Sequence, residues 1–265
     1  AEYWDLDAEF QAAEHPFTAR LLDVGGKRVA QGKDFDGDTG ELKNAAKLVH
    51  LDGDGAKTLA ERLGAATPWT VASVERKEAK KRPSPAFITS TLQQAASSRL
   101  GMTPKRTMQT AQRLYEGIEL GGGERTGLIT YMRTDSVTLS GEALGAAERL
   151  IRDTWGPEYT DGARFYRTKA KAAQEAHEAI RPTDLFRRPE HVANRLEKDE
   201  LALYRLIWER TIASQMTDAV IDRTTLDIRA EPEVGEPCLF RANGSVVKFA
   251  GFLKATGGGR DETVL

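Results

Sequence analysis

The sequence predicts an α+β fold in two parts. A β-rich host is built from both ends of the chain, residues 1–82 and 218–265, and an α-rich domain, residues 83–217, is inserted between them. Three observations predict it. Strand-like alternation dominates before Arg82 and returns after Thr217. Helical spacing of apolar residues dominates in between. The tetrapeptide "RPSP" at 82–85 marks the point where one pattern gives way to the other. A chain of 265 residues with 40% hydrophobic content can bury a real core, as one large domain or two moderate ones.

The elements follow in order. "YWDLDAEF" (3–10) alternates as a strand, and "FTARLLDV" with "GGKRVA" predicts a hairpin around Gly25-Gly26. "KLVHL" (47–51) is a short strand, and Asp54 is expected to cap a helix over 56–63 that Gly64 closes. Residues 69–82 start strand-like and end as a charged run. Leu92, Ala95, Ala96 and Leu100 share one face of a helix over 88–101, which stops at Gly101. Thr103 caps the next helix with Pro104 at its first position, so the two helices resemble a helix-turn-helix. A flexible loop, 117–126, leads to a strand over 128–133. Ser140 caps a helix over about 141–153. The middle of 166–184 reads as helical, ended by Pro182, and an amphipathic helix covers about 196–214. Strands return at 220–230 and 238–255, the latter folded at an Asn243-Gly244 turn.

Composition narrows the function. The one cysteine, Cys238, excludes an internal disulfide framework and a cysteine-built zinc site, and suits a reducing cytoplasm. No apolar run reaches the roughly 20 residues of a membrane helix, so no membrane partner is expected. The chain opens on a strand without an initiator Met, which predicts a piece of a longer protein. Charge is segregated: residues 1–74 carry net −5, residues 75–188 net +6 and residues 189–265 net −3. A basic middle between acidic arms suits a phosphate backbone bound at one place.

The stretch "GLITYMRTDSVTLS" (127–140) carries the sharpest chemical signal. In a strand, Ile129, Tyr131 and Arg133 share one face and Leu128, Thr130 and Met132 the other. The phenol and the guanidinium are then next-but-one neighbours. That is chance, an ordinary contact, or a nucleophile beside a phosphate clamp. A tyrosine with a reference pKa of about 10 needs positive charge on the phosphate it attacks. Arg133 could supply it, with His177 and Arg181 of "EAHEAIRPTD" adding proton or phosphate contacts. Tyrosine recombinases use the same residue types, but their histidine precedes the arginine by three residues, not the four that separate His177 from Arg181. The acidic clusters "DFDGD" (34–38) and "DGDG" (52–55) lack the rest of a calcium loop and read as turns. Neither "GGG" is followed by the residues of a phosphate-binding loop, and no metal-ligand cluster appears.

Four blocks then carry a likeness: "AFITSTLQQAASSRLG" (86–101), "TMQTAQRLYE" (107–116), "GLITYMRTDS" (127–136) and "EAHEAIRPTD" (175–184), extended by "YRLIWERTIASQMTDA" (204–219). Together they resemble the bacterial type IA DNA topoisomerases. The resemblance implies that Tyr131 cleaves one DNA strand and keeps its 5′ phosphate, that Arg133 positions that phosphate, and that His177 supports binding and cleavage. Gln112, Tyr115, Glu116, Thr130 and Asp135 fall in the same blocks as expected DNA contacts, together with Arg181. It also implies a β-rich arch with an inserted helical domain that bears the tyrosine. Negative supercoils would be relaxed with Mg²⁺, without ATP, at the nucleoid in the cytoplasm. The Mg²⁺ belongs to a toprim domain that precedes this region in the family, so no metal is expected in the chain itself. Toprim and the adjoining domains are its expected partners besides single-stranded DNA. The loop 117–126 looks longer than the family's usual link. The competing expectation is a non-catalytic helix-turn-helix module that binds DNA.

Overall fold

The computed structural model describes residues 2–257 apart from 13–14, 65–66, 122 and 168–177. The chain divides into two compact units. One comprises Ala1–Ala79 with Ile221–Val247, and the other Lys80–Val220 with the described part of Lys248–Asp261. Residues 248–257 therefore belong with the helices, although the sequence grouped them with the strands before them.

The first unit is built on a seven-stranded sheet. Strand β2 (His15–Val24) pairs antiparallel with β1 (Asp7–Ala12), with β3 (Lys27–Val29) and with β9 (Cys238–Phe249). Beyond β9 lie β8 (Ala219–Ala230) and the edge strand β5 (Trp69–Lys81), while β4 (Leu48–Val49) runs parallel to β3 at the other end. The hairpin forms as expected around Gly25 and Gly26, whose φ of 60° and 79° are the left-handed values such a turn needs. Leu21, Ile228, Phe240 and Val29 bury one face of the sheet with Ala56 and Leu63 of helix α1 (Gly53–Gly64). Trp69 sets its ring edge-on to Phe10 and Phe240, at 5.0 and 5.2 Å between centroids. Arg241 and Asp227 form a two-point ion pair across neighbouring strands, at 2.7 and 2.9 Å.

Two local expectations fail here. Asn243-Gly244 makes no turn, because β9 runs straight through it. Cys238, Phe240, Ala242 and Gly244 stay buried in alternation, and the Asn243 side chain accepts a hydrogen bond from Thr225 of β8 (3.2 Å). An Asn-Gly pair folds a strand only when its two flanks can pair with each other, and here β8 supplies the partner instead. Asp52 rather than Asp54 caps α1, its Oδ1 accepting from the Gly55 N–H at 2.7 Å. The acidic loop at 34–38 is a turn as expected: Asp36 Oδ1 accepts from the N–H groups of Asp38 and Thr39. Among the described residues no cluster of His, Cys, Asp and Glu is arranged to hold a metal ion, and no helix is long and apolar enough to cross a membrane.

The second unit is helical. Helix α2 (Thr89–Leu100) ends on Gly101 at φ 65°, and α3 (Pro104–Glu116) starts on Thr103, whose hydroxyl accepts from the Arg106 N–H. Ser140 caps α4 (Gly141–Trp155) in the same way through the Ala143 N–H. A short helix, α5 (Pro189–Val192), precedes α6 (Lys198–Ser214). Helix α6 is the spine of the unit: Leu203, Tyr204, Ile207 and Ile212 are fully buried against α2, α3 and α4 neighbours. Its two large amphipathic side chains satisfy their polar ends on one segment. Tyr204 donates to the Arg187 carbonyl (2.7 Å) and Trp208 Nε1 to the Leu185 carbonyl (2.8 Å). The helix expected in the middle of 166–184 falls largely outside the described residues.

Beyond β9 the chain turns at Gly251, φ 48°. A Cβ there would collide with the Asp218 carbonyl and stand 2.7 Å from the Thr217 oxygen. Gly251→Ala is therefore expected to destabilise the protein by about 1–3 kcal/mol. A urea-unfolding midpoint unchanged from that of the parent would show that the loop relaxes instead.

Candidate active site

Tyr131 and Arg133 lie in the helical unit, on a segment that bends at Thr130 and again at Met132 and Arg133 and is not the strand the alternation predicted. Its sheet-like pairing is the isolated bridge of Ile129 with Pro182. Period two breaks at its start, since Leu128 and Ile129 are both buried in the core of α2, α3 and α6. It holds over the next three positions: Tyr131 is exposed, Met132 buried, Arg133 exposed.

Threonine hydroxyls fix the backbone on both sides of this alternation. Before Tyr131, Thr130 donates its hydroxyl to the Ala179 carbonyl (2.7 Å) and accepts from the Arg181 N–H (3.0 Å), while its own N–H donates to the Arg181 carbonyl (2.9 Å). Around Arg133, Thr89 at the start of α2 donates its hydroxyl to the Met132 carbonyl (2.8 Å) and accepts from the Thr134 N–H (2.9 Å). The Thr89 N–H donates to the Thr134 carbonyl (3.0 Å). The backbone is thus held at 130, 132 and 134, and the side chains at 131 and 133 are presented outward. On the far side the segment lies against α3: the Leu128 N–H donates to the Leu114 carbonyl (2.7 Å). A Cβ at Gly127 would stand 2.7 Å from the Tyr115 carbonyl, so only glycine allows that approach.

Tyr131 is 46% exposed and meets Tyr115, 42% exposed, edge to face at 5.3 Å. Two half-exposed aromatic rings side by side form a surface on which a base can stack. Gln112 and Glu116 are exposed on the same last turns of α3 and bond each other at 2.7 Å. The Arg133 guanidinium has no hydrogen bond or ion pair to any described residue. It borders an open cleft of about 470 Å³ with Thr89, Ser90, Gln93 and Asp135.

The family model described as DNA topoisomerase matches residues 1–264. This chain belongs to the DNA topoisomerase family. It is 45% identical over 264 residues to DNA topoisomerase 1 of Synechocystis, covering 99% of this chain and 28% of that protein. It is 46% identical over 264 residues to DNA topoisomerase 1 of Mycolicibacterium smegmatis, covering 96% of this chain and 27% of that one. The fold is similar to that of full-length topoisomerase I from Thermotoga maritima, with a TM-score of 0.71 at 29% identity over 99% of this chain and 38% of the other. The chain thus spans under a third of the curated topoisomerases it matches.

The other expected site residues take different places. Tyr115, Gln112 and Glu116 stand with Tyr131, and Asp135 with Arg133. Thr130 and Arg181 are engaged inside the fold. Arg181 is only 14% exposed and is held by Glu178 Oε2 (2.8 Å), by the Pro182 carbonyl and by Ser140 Oγ, and its Nε is buried with no described partner. His177 lies outside the described residues. Thr89 and Glu178 escaped the sequence reading, although both lie inside motif blocks. Glu178 accepts from the Ser140 N–H at 2.7 Å and so ties the cap of α4 to the 178–182 segment that holds Thr130.

Burial works against ionisation of Glu178, but the bonds from Ser140 and the Arg181 guanidinium outweigh it and hold its carboxyl below the ordinary value of 4.5. A carboxyl depressed in the folded state stabilises above its unfolded pKa, and loses that contribution as pH falls through its folded value. Glu178→Gln is therefore expected to be less stable than the parent at neutral pH. The gap should close as pH drops below about 4.5. Urea midpoints of both proteins across that range check it. A gap independent of pH would mean that charge at Glu178 contributes nothing.

Proposed function

We propose that this chain is the part of a type IA topoisomerase in which Tyr131 cleaves one DNA strand and holds it as a 5′-phosphotyrosyl ester. One observation carries the reading. An exposed phenol and a guanidinium without a partner among the described residues stand next but one to each other on a backbone held by Thr130 and Thr89, in a chain matched almost throughout by the topoisomerase family. The phenol oxygen bonds to phosphorus and gives up its proton as the bond to the 3′ oxygen breaks, leaving a 3′ hydroxyl. Attack of that hydroxyl on the ester reverses the step, so the strand is resealed without ATP. Arg133 neutralises the non-bridging oxygens where charge gathers. The pinned backbone keeps the two groups in register at no further entropic cost.

In this reading α2 and α3 form the helix-turn-helix of a tyrosine-bearing domain inserted in a β-rich arch. Tyr115 offers a stacking face, and Gln112, Glu116 and Asp135 make polar contacts to DNA. Thr130 and Arg181 act through the backbone they hold, and His177 assists binding and proton movement. Single strands are preferred, because the bases must be free to stack. Passage of a strand through the break relaxes negative supercoils at the nucleoid. The Mg²⁺ that the family resemblance implies finds no fitting donor set among the described residues and is assigned to another part of the parent protein. A non-catalytic helix-turn-helix module is disfavoured, since the family match covers both units and not the helices alone.

The test uses the intact parent protein and a single-stranded oligonucleotide labelled at its 3′ end. Denaturing gels should show label joined to the protein and none joined to Tyr131→Phe. Arg133→Ala should lower the yield of adduct by about a hundredfold. Adduct persisting in Tyr131→Phe would assign the nucleophile elsewhere.

A further inference from the structure

The small hairpin of β6 (Ile118–Glu119) and β7 (Arg125–Thr126) faces a second cleft, of about 460 Å³, across from the segment that leads into α5. Leu120 lines it on the hairpin side, and Phe186, Arg187, His191, Asn194 and Arg195 on the other. The segment is anchored on either side of Phe186. The Leu185 and Arg187 carbonyls accept the bonds from Trp208 and Tyr204 described above, and Leu185 itself is buried. Asp184 Oδ1 also accepts from the Phe186 N–H (2.9 Å). Yet the Phe186 ring is 43% exposed. An aromatic side chain left in solvent on a backbone this firmly held is available for stacking with no backbone left to order.

Charge completes the site. Asp184 lines the same cleft, but Arg187 stands 3.8 Å from it and counters its charge. The Arg195 guanidinium is exposed and has no hydrogen bond or ion pair to any described residue. Gly121, at φ 108°, faces it, and a Cβ there would stand 3.6 Å from Nη2. An exposed aromatic face and a cation lining one cleft match one base and one phosphate of a single strand.

Position relates the cleft to the break. Ile129 lies opposite Pro182, so Tyr131 and Asp184 sit at opposite ends of the short antiparallel contact, and Thr183 closes the far end by donating its hydroxyl to the Gly127 carbonyl (2.7 Å). Four residues of chain span at most about 13 Å. A nucleic-acid strand covers that in a few nucleotides, each rising about 3.4 Å or more.

We propose that this cleft is a second subsite for single-stranded DNA, stacking a base on Phe186 and holding a phosphate on Arg195 a few nucleotides from the bond cut at Tyr131. The inference rests on the cleavage reading above and adds a place that reading does not use.

The experiment measures binding of a labelled oligothymidylate to the intact protein by fluorescence anisotropy across a salt series. Phe186→Ala is expected to weaken binding about tenfold, and Phe186→Trp to retain it. Arg195→Ala should lower the slope of log affinity against log salt by about 0.7, the loss of one phosphate contact. Both side chains are exposed, and equal melting curves will establish that the variants fold. Tyr131→Phe separates the two readings: it should bind as the unaltered protein does while forming no adduct. Unchanged affinity and slope in the Phe186 and Arg195 variants would overturn the subsite and leave the cleavage reading standing. Failure of the unaltered protein to bind the strand would overturn both.

Discussion

The hydroxyl of Thr130 holds the centre of the helical unit together. It gives its proton to one main-chain carbonyl and accepts from an N–H two residues further along the same crossing segment. These two hydrogen bonds set the backbone immediately before Tyr131. Without them the 127–134 segment would keep its anchors at Leu114 and Thr89, and the residue just before the tyrosine would be held by its main-chain N–H to the Arg181 carbonyl alone. A hydroxyl can do this because it donates and accepts at once. A carboxylate could only accept, and a methyl group would leave a buried carbonyl and N–H unsatisfied.

The same logic recurs at larger scale. Helix α6 carries apolar residues on most of its circumference, which suits a helix surrounded by others. Its tyrosine and tryptophan turn that burial into positional control, because each must find an acceptor and both find one between Leu185 and Arg187. Arg113 and Glu200 add an ion pair at 2.9 Å between α3 and α6, with the carboxylate almost fully buried. The surface that faces solvent around Tyr131 therefore stands on elements whose polar groups are already committed inside.

What the sequence made legible was local. Thr103, Pro104 and Gly101 announced a helix boundary that the structure reproduces, and Ser140 did the same for α4, because caps are decided within a few residues. The exposure of Tyr131 and Arg133 around a buried Met132 was readable from alternation. The strand was not, because alternation reports which side chains face out and says nothing about whether a partner strand exists. Ile129 was placed on one face with Tyr131 and Arg133 but is buried, since the core closes over both sides of the chain there. Asn243-Gly244 misled for a related reason: its turn propensity is real, but pairing with β8 outweighs it. Thr89 reads as an ordinary residue at a helix start. Its partners at Met132 and Thr134 lie more than forty positions away, where no local pattern reaches.

The hairpin between α3 and Tyr131 leaves and returns through one narrow gate. Leu114 and Leu128 are bonded across its base, Gly127 has no room for a side chain there, and Gly117, at φ 111°, is tightly packed against Arg125 and Thr126. Such a gate uncouples the excursion from what lies behind it. Residues can be added to or taken from the tip without shifting the tyrosine, so the tip is free to diverge among relatives while the segment below it is not. The hairpin can change its outer surface and leave the backbone around Tyr131 undisturbed.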